Sequence, residues 1–158
     1  MKSEQVKDFT RRITQCNKGG MIVVIYDIFF AYVKEAEEAF AAGEYDHFKE
    51  SMQKAGNCIE ELMGALDFKY DISKQLYPLY VFARESLAKT VVKKKLDDLN
   101  NAKMVMENLH EAFKEAAKQD SSQPLMRNTQ QVYAGITYGK HDLTETYQVP
   151  DTSRGFFA

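Results

Sequence analysis

The stretch MIVVIYDIFFAYV, residues 21–33, decides the fold, and it carries a single charge, Asp27. Its β-branched and aromatic residues favour a buried strand, but the run is too long for a typical strand and continues directly into the helical sequence KEAEEAFAAG. We therefore predict one helix, capped at its start by Asn17 and ended by Gly43. Because this helix is apolar on every side, it needs cover on more than one side.

Three further segments repeat apolar residues at steps of three and four, which is the helical period. They run from about 46 to 66, from 72 to about 92, and from about 95 to 118. Pro78 lies inside the second of these, so we expect a kink there or a helix that starts only near Tyr77. Short connections between the four helices predict an all-α protein with an antiparallel four-helix bundle at residues 17–118.

The regions on either side of the bundle differ from it. Residues 1–16 form an N-terminal segment that we expect to cap the bundle. From 119 to 158 the chain is polar, with the breaker QDSSQP and aromatic residues spaced along its length, and we predict an extended, partly helical C-terminal tail. Its tyrosines and the terminal GFFA could anchor this tail on the bundle, over a binding groove, or on a second copy.

Composition narrows the function classes. The chain has 158 residues, 44% of them hydrophobic, and a formal net charge of −2, which argues against a general nucleic-acid-binding protein. The longest apolar run is shorter than the roughly 20 residues that span a bilayer, so we expect no membrane insertion and a cytoplasmic location. Cys16 and Cys58 form no CxxC pair, which favours free thiols over a disulfide or zinc site.

Catalytic and metal-binding patterns are weak. His47, His110 and His141 lie far apart without a ligand partner at suitable spacing, which is typical of lone surface histidines. Adjacent glutamates such as Glu60 and Glu61 point in different directions on a helix and do not form a carboxylate dyad. We predict no catalytic residue, no metal, no cofactor and no enzymatic activity.

Several motifs together resemble the FliS family, the bacterial chaperones that hold flagellin before export. The resemblance lies in MIVVIYD behind the capping Asn17, in GEY at 43–45, in KAGNCIEEL at 54–62, in LYVF at 79–82 and in EAFKEA at 111–116. It covers roughly 105 of the 158 residues. The family's arginine pair, which follows the tyrosines of its third helix, is replaced here by Glu85 and Ser86.

This resemblance implies a cytoplasmic chaperone that binds the C-terminal segment of flagellin in an apolar groove and prevents premature polymerisation before type III export. In residues 21–33 we expect Ile22, Ile25, Phe29 and Val33 to face the core, which leaves Val24, Ile28 and the neighbouring aromatic residues for a second surface. The residues predicted to line the client groove are Ile13, Val24, Tyr26, Ile28, Asn57, Ile59 and Tyr80. The flagellar export gate and a second copy of the chain are further candidate partners. The alternative is a FliS-like structural or regulatory adaptor of the export system that no longer binds flagellin.

Overall fold

The computed structural model describes residues 1–126, which contain five α-helices and no strand. They are α1 (Ser3–Gln15), α2 (Lys18–Ala41), α3 (Tyr45–Gly64), α4 (Asp71–Lys93) and α5 (Asp97–Gln119). The predicted all-α bundle is therefore confirmed, with helix ends within two residues of those expected. The proposed tail at 127–158 lies outside the described residues.

Helices α2 to α5 form a closed ring in which each packs against two neighbours. α2 lies against α3 and α5, and α4 lies against the same two helices from the opposite side. Consecutive helices are joined by short connections, so they run antiparallel. The core contains Tyr26 and Phe29 from α2, Phe48 from α3 and Tyr80 from α4, each at most 1% exposed.

The two predicted ends of α2 are confirmed, each for the expected physical reason. The Asn17 side-chain oxygen accepts the Gly20 backbone N–H at 2.9 Å, which satisfies one of the donors left open at a helix N-terminus. Gly43 follows the last turn with φ of 74°, a left-handed conformation in which a side chain is strained.

Pro78 does not delay the start of α4, so of the two expected effects of this proline the late start near Tyr77 is wrong. The helix begins at Asp71, two turns earlier. Proline removes only one backbone hydrogen bond, and the buried residues Ser73, Leu76 and Tyr80 hold the helix against the core on both sides of it.

Residues 3–15 form a helix that the sequence pattern had not led us to expect. α1 packs lengthwise on α2, with the N-terminal amine of Met1 paired to Glu35 and Arg12 paired to Asp27. None of its side chains is fully buried. The signal was present in Val6, Phe9 and Ile13, which share one helical face at steps of three and four.

Candidate functional site

α2 is apolar on every side because other helices surround it. It contacts α3, α5 and α1, so the cover that residues 21–33 require comes from three helices of the same chain. The predicted division of this stretch is partly wrong. Val24 is only 2% exposed and belongs to the core, whereas Ile22 and Ile25 are half-buried at its edge. The three-sided packing explains this, because the core-facing arc of α2 is wider than a single stripe.

One open edge of α2 forms a groove with α3, which we call the α2/α3 groove. It consists of two adjoining cavities of about 460 and about 240 Å³ that share Ile25 and Glu61. The α2 wall is mostly apolar and the α3 wall is mostly polar. The α2 wall contains Met21, Ile22, Ile25, Ile28 and Tyr32, and the α3 wall contains Lys54, Asn57, Cys58, Glu60, Glu61 and Gly64.

The two ends of the groove are built differently. Lys18 and Leu125 line one end, where the chain returns after α5. At the other end the Lys54 ammonium lies 5.7 Å from the Tyr32 ring centroid and pairs with Glu50 at 2.6 Å. Since α2 rises about 1.5 Å per residue, the apolar wall from Met21 to Tyr32 is about 16 Å long. That length and the contrast between the walls suit a short amphipathic segment.

The predicted site residues separate into three groups. Ile28 and Asn57 line the α2/α3 groove. Val24, Tyr26, Ile59 and Tyr80 are at most 2% exposed and form part of the core. Of these four, Val24 also lines a cavity between α1, α2 and α5. Ile13 lies half-buried on α1. Tyr32, one of the aromatic residues near Ile28, also lines the groove. Sequence reasoning missed Ile25 and Glu61, which lie at helical spacing from Ile28 and Asn57.

Cys58 lies in the wall of the groove at 8% exposure. Burial, reinforced by the nearby Glu61 carboxylate, raises the pKa of the Cys58 thiol to about 12. The sulfur is therefore a thiol and not a nucleophilic thiolate at neutral pH. In the groove it acts as a small apolar surface.

A second junction joins α1, α2 and α5 at Asp27. The Asp27 carboxylate pairs with Arg12 from α1, and its Oδ1 lies 2.8 Å from Nε2 of His110 on α5. The imidazole stacks on Tyr26, with ring centroids 5.4 Å apart, so the expectation of a surface histidine is wrong. Its Nε2 makes no aligned hydrogen bond to any of residues 1–126. Burial lowers the pKa of His110, and the Asp27 carboxylate opposes this only in part.

We also searched residues 1–126 for metal sites and for membrane-spanning helices. Within residues 1–126 no three His, Cys, Asp or Glu side chains gather as a set that could hold a metal ion. In the same range, none of the five helices has the length and apolar character needed to cross a bilayer. A separate cavity of about 480 Å³ opens between α1, α2 and α5, with Val24 in its lining. The α2/α3 groove contains two of the predicted client-binding residues, Ile28 and Asn57.

Comparison with known proteins agrees with the sequence motifs. A search of curated proteins gave no significant match. The family model described as "Flagellar protein FliS" matches residues 1–120, which span all five helices and therefore both walls of the groove. The chain belongs to the FliS family of flagellar proteins.

Proposed function

We propose that the protein is a flagellar export chaperone that binds the C-terminal segment of flagellin in the α2/α3 groove and so prevents premature polymerisation. Membership of the FliS family supports the general chaperone role in flagellar export. The α2/α3 groove carries the more specific part of the proposal. Its continuous apolar wall, faced by a polar wall, fits the helix-in-groove mode of peptide recognition.

Each wall has a distinct part in this proposal. The half-buried side chains of Ile22, Ile25 and Ile28 lose their remaining contact with water when a client side chain covers them, which favours binding. Asn57 and Glu61 on the opposite wall are exposed and can bond to the polar face of the client. The apolar wall supplies affinity and the polar wall fixes the orientation of the bound segment.

Calorimetric titration with a flagellin C-terminal peptide tests the proposal. Ile28→Asp places a carboxylate on the apolar wall, where a bound client would desolvate it at a cost of several kcal/mol. We expect the Kd to rise about a hundredfold or more. Ile59→Asp is unsuitable, because Ile59 is fully buried and a charge there would unfold the bundle.

Met104→Asp is the matched control. Met104 is an exposed apolar residue on α5 that lines neither cavity of the groove, so the same charge should leave the Kd unchanged. Circular dichroism and urea unfolding would establish that both variants are folded. Wild-type affinity in a folded Ile28→Asp protein would refute the α2/α3 groove as the client site.

A second candidate function, the export adaptor, is favoured by an exposed aromatic patch at the α3–α4 connection. We define the patch as Phe68, Tyr70, Ile72 and Tyr77, which are between 42% and 64% exposed. Phe68 and Tyr77 contact each other edge to face at 5.7 Å. Exposed apolar clusters commonly mark protein-binding surfaces. Two results together would support this alternative. The wild-type protein would not bind the flagellin peptide, and it would bind the export gate. Tyr70→Ser would weaken binding to the export gate.

A further inference from the structure

The chain beyond α5 takes a defined path that points towards the groove. We call residues 120–125 the strap. The Asn17 side-chain amide donates to the backbone oxygens of Asp120 and Ser122 at 3.2 and 3.3 Å, and the Leu125 N–H donates to the Cys16 oxygen at 3.0 Å. These bonds tie the strap across the corner between α1 and α2.

Gly19 shows how closely the strap approaches α2. Its backbone N–H donates to Oδ2 of Asp120 at 3.0 Å, and a Cβ at this position would lie only 2.7 Å from the same oxygen. The carboxylate also accepts the Ser122 N–H at 2.9 Å, which shapes the turn after α5. These hydrogen bonds with Ser122 and Gly19 lower the pKa of Asp120, so the group stays ionised at neutral pH. An anion at the N-terminus of α2 is favoured by the helix dipole.

The strap delivers Leu125 to the open end of the groove. Leu125 lines the larger cavity together with Ile22 and Ile25 and remains 55% exposed. The chain thus already contributes one apolar side chain to the same wall on which the client is proposed to bind. Beyond Met126 the chain continues for another 32 residues, 127–158.

The sequence of residues 127–158 suits an apolar groove. It contains Tyr133, Tyr138, Tyr147, Phe156 and Phe157 together with Val132, Ile136 and Leu143, and its three basic residues balance its three acidic residues. An extended chain advances about 3.3 Å per residue, so about five residues would span the apolar wall. The available length is several times what is needed. A short tether also gives a millimolar effective concentration, so even a weak contact is populated.

We propose that residues 127–158, led in by Leu125, occupy the α2/α3 groove of their own chain and must be displaced before a partner can bind there. Occupancy by the tail is independent of what the partner is. Only the competition with flagellin rests on the function proposed above. If the tail fills the groove nine-tenths of the time, it raises the apparent Kd of the client about tenfold.

Photo-cross-linking in the full chain tests occupancy directly. Asn57 is exposed on the α3 wall, so p-benzoylphenylalanine in its place projects over the groove without disturbing the core. We expect cross-links from this position to peptides of residues 127–158, within one chain and independent of protein concentration. The same group in place of Met104 is the control, and it should give at least several-fold less of this product.

Mixing isotopically labelled and unlabelled chains before irradiation distinguishes a groove filled by the chain's own tail from one filled by a second copy. Products that join two chains would show that a second copy covers the groove, and they would overturn the proposal. Equal yields from the two positions, or no product with residues 127–158, would overturn it as well.

A matched pair of full-chain variants then tests the role of Leu125. Leu125→Asp puts a charge against Ile22 and Ile25, so we expect several-fold fewer cross-links from position 57 and a flagellin-peptide Kd that falls about tenfold. Met126→Asp alters the next residue, which lines neither cavity, and should leave both readouts unchanged. Unchanged cross-linking in Leu125→Asp would refute the proposal that Leu125 directs the tail into the groove. Absence of peptide binding in every variant, with the cross-links intact, would refute the flagellin function and leave the tail proposal standing.

Discussion

The hydroxyl groups of Tyr26 and Tyr80 share a hydrogen bond of 2.8 Å across the centre of the bundle. One tyrosine lies on α2 and the other on α4, the two helices that face each other across the ring. Both side chains are at most 1% exposed, and among residues 1–126 each hydroxyl has only the other as a partner. This pair is a polar link between two helices at the centre of an apolar core.

Removing both hydroxyls of this pair should cost less than the sum of the costs of removing each one alone. Tyr26→Phe leaves the Tyr80 hydroxyl buried without a partner, which should lower the free energy of unfolding by about 1–3 kcal/mol. The double variant Tyr26→Phe/Tyr80→Phe leaves no orphaned group and should be less destabilised than the sum of the two single variants. Urea unfolding of the four proteins measures this. Additive effects would show that the hydroxyls do not depend on each other.

The stability of the bundle should fall as His110 becomes protonated. Burial lowers the pKa of His110 in the folded protein, so the unfolded chain binds the proton more readily. The contribution of His110 is complete above its ordinary pKa of about 6.5 and is lost as the pH falls through the lower, folded value. Urea unfolding at pH 7.5 and pH 5.5 compares stability on either side of the ordinary histidine pKa, while the carboxylates remain largely ionised.

His110→Phe is the control for this pH dependence. Phenylalanine can keep the stacking against Tyr26 and Phe30, whose ring centroids both lie 5.4 Å from that of His110, but it does not titrate. The variant should lose less stability than the wild type between pH 7.5 and pH 5.5. An equal loss in both proteins would assign the effect to another group.

Two glycines in open surroundings should respond in opposite directions to the same substitution. Gly43→Ala forces a side chain into the left-handed conformation that ends α2 and should destabilise the fold by about 1 kcal/mol. Gly56→Ala, inside α3 with nothing within 4 Å of the new Cβ, should stabilise it by about 0.5–1 kcal/mol. Thermal unfolding of the two variants compares them. A stabilising Gly43→Ala would contradict the role of Gly43 as a helix terminator.

Much of this fold could be predicted from the sequence because its signals are local. The Asn17 cap and the Gly43 terminator depend on a few neighbouring residues, and the apolar period of three and four marks each bundle helix. α1 was not predicted, because it buries no residue fully and has only one short stripe of apolar residues. Pro78 misled the prediction because packing of Leu76 and Tyr80 outweighs one missing hydrogen bond.

The groove was harder to predict, for a different reason. Periodicity gives the angle of each side chain around α2 but not which neighbouring helix covers that angle. Val24 and Ile28 occupy similar positions in the sequence pattern, yet one is in the core and the other lines the groove. That difference depends on α1 and α5, which lie far from each other in sequence and close to α2 in space.

The three-sided cover of α2 has a consequence for synthesis on the ribosome. From the last residue of α2, Ala41, the ribosome must add 78 more residues to reach Gln119 and complete α5. At 5–20 residues per second this takes about 4–16 s. During that time α1 and α3 can pack on α2, but the side that α5 will cover stays open to water and to other nascent chains. The most apolar helix of the protein therefore completes its cover only when the last helix, α5, has been made.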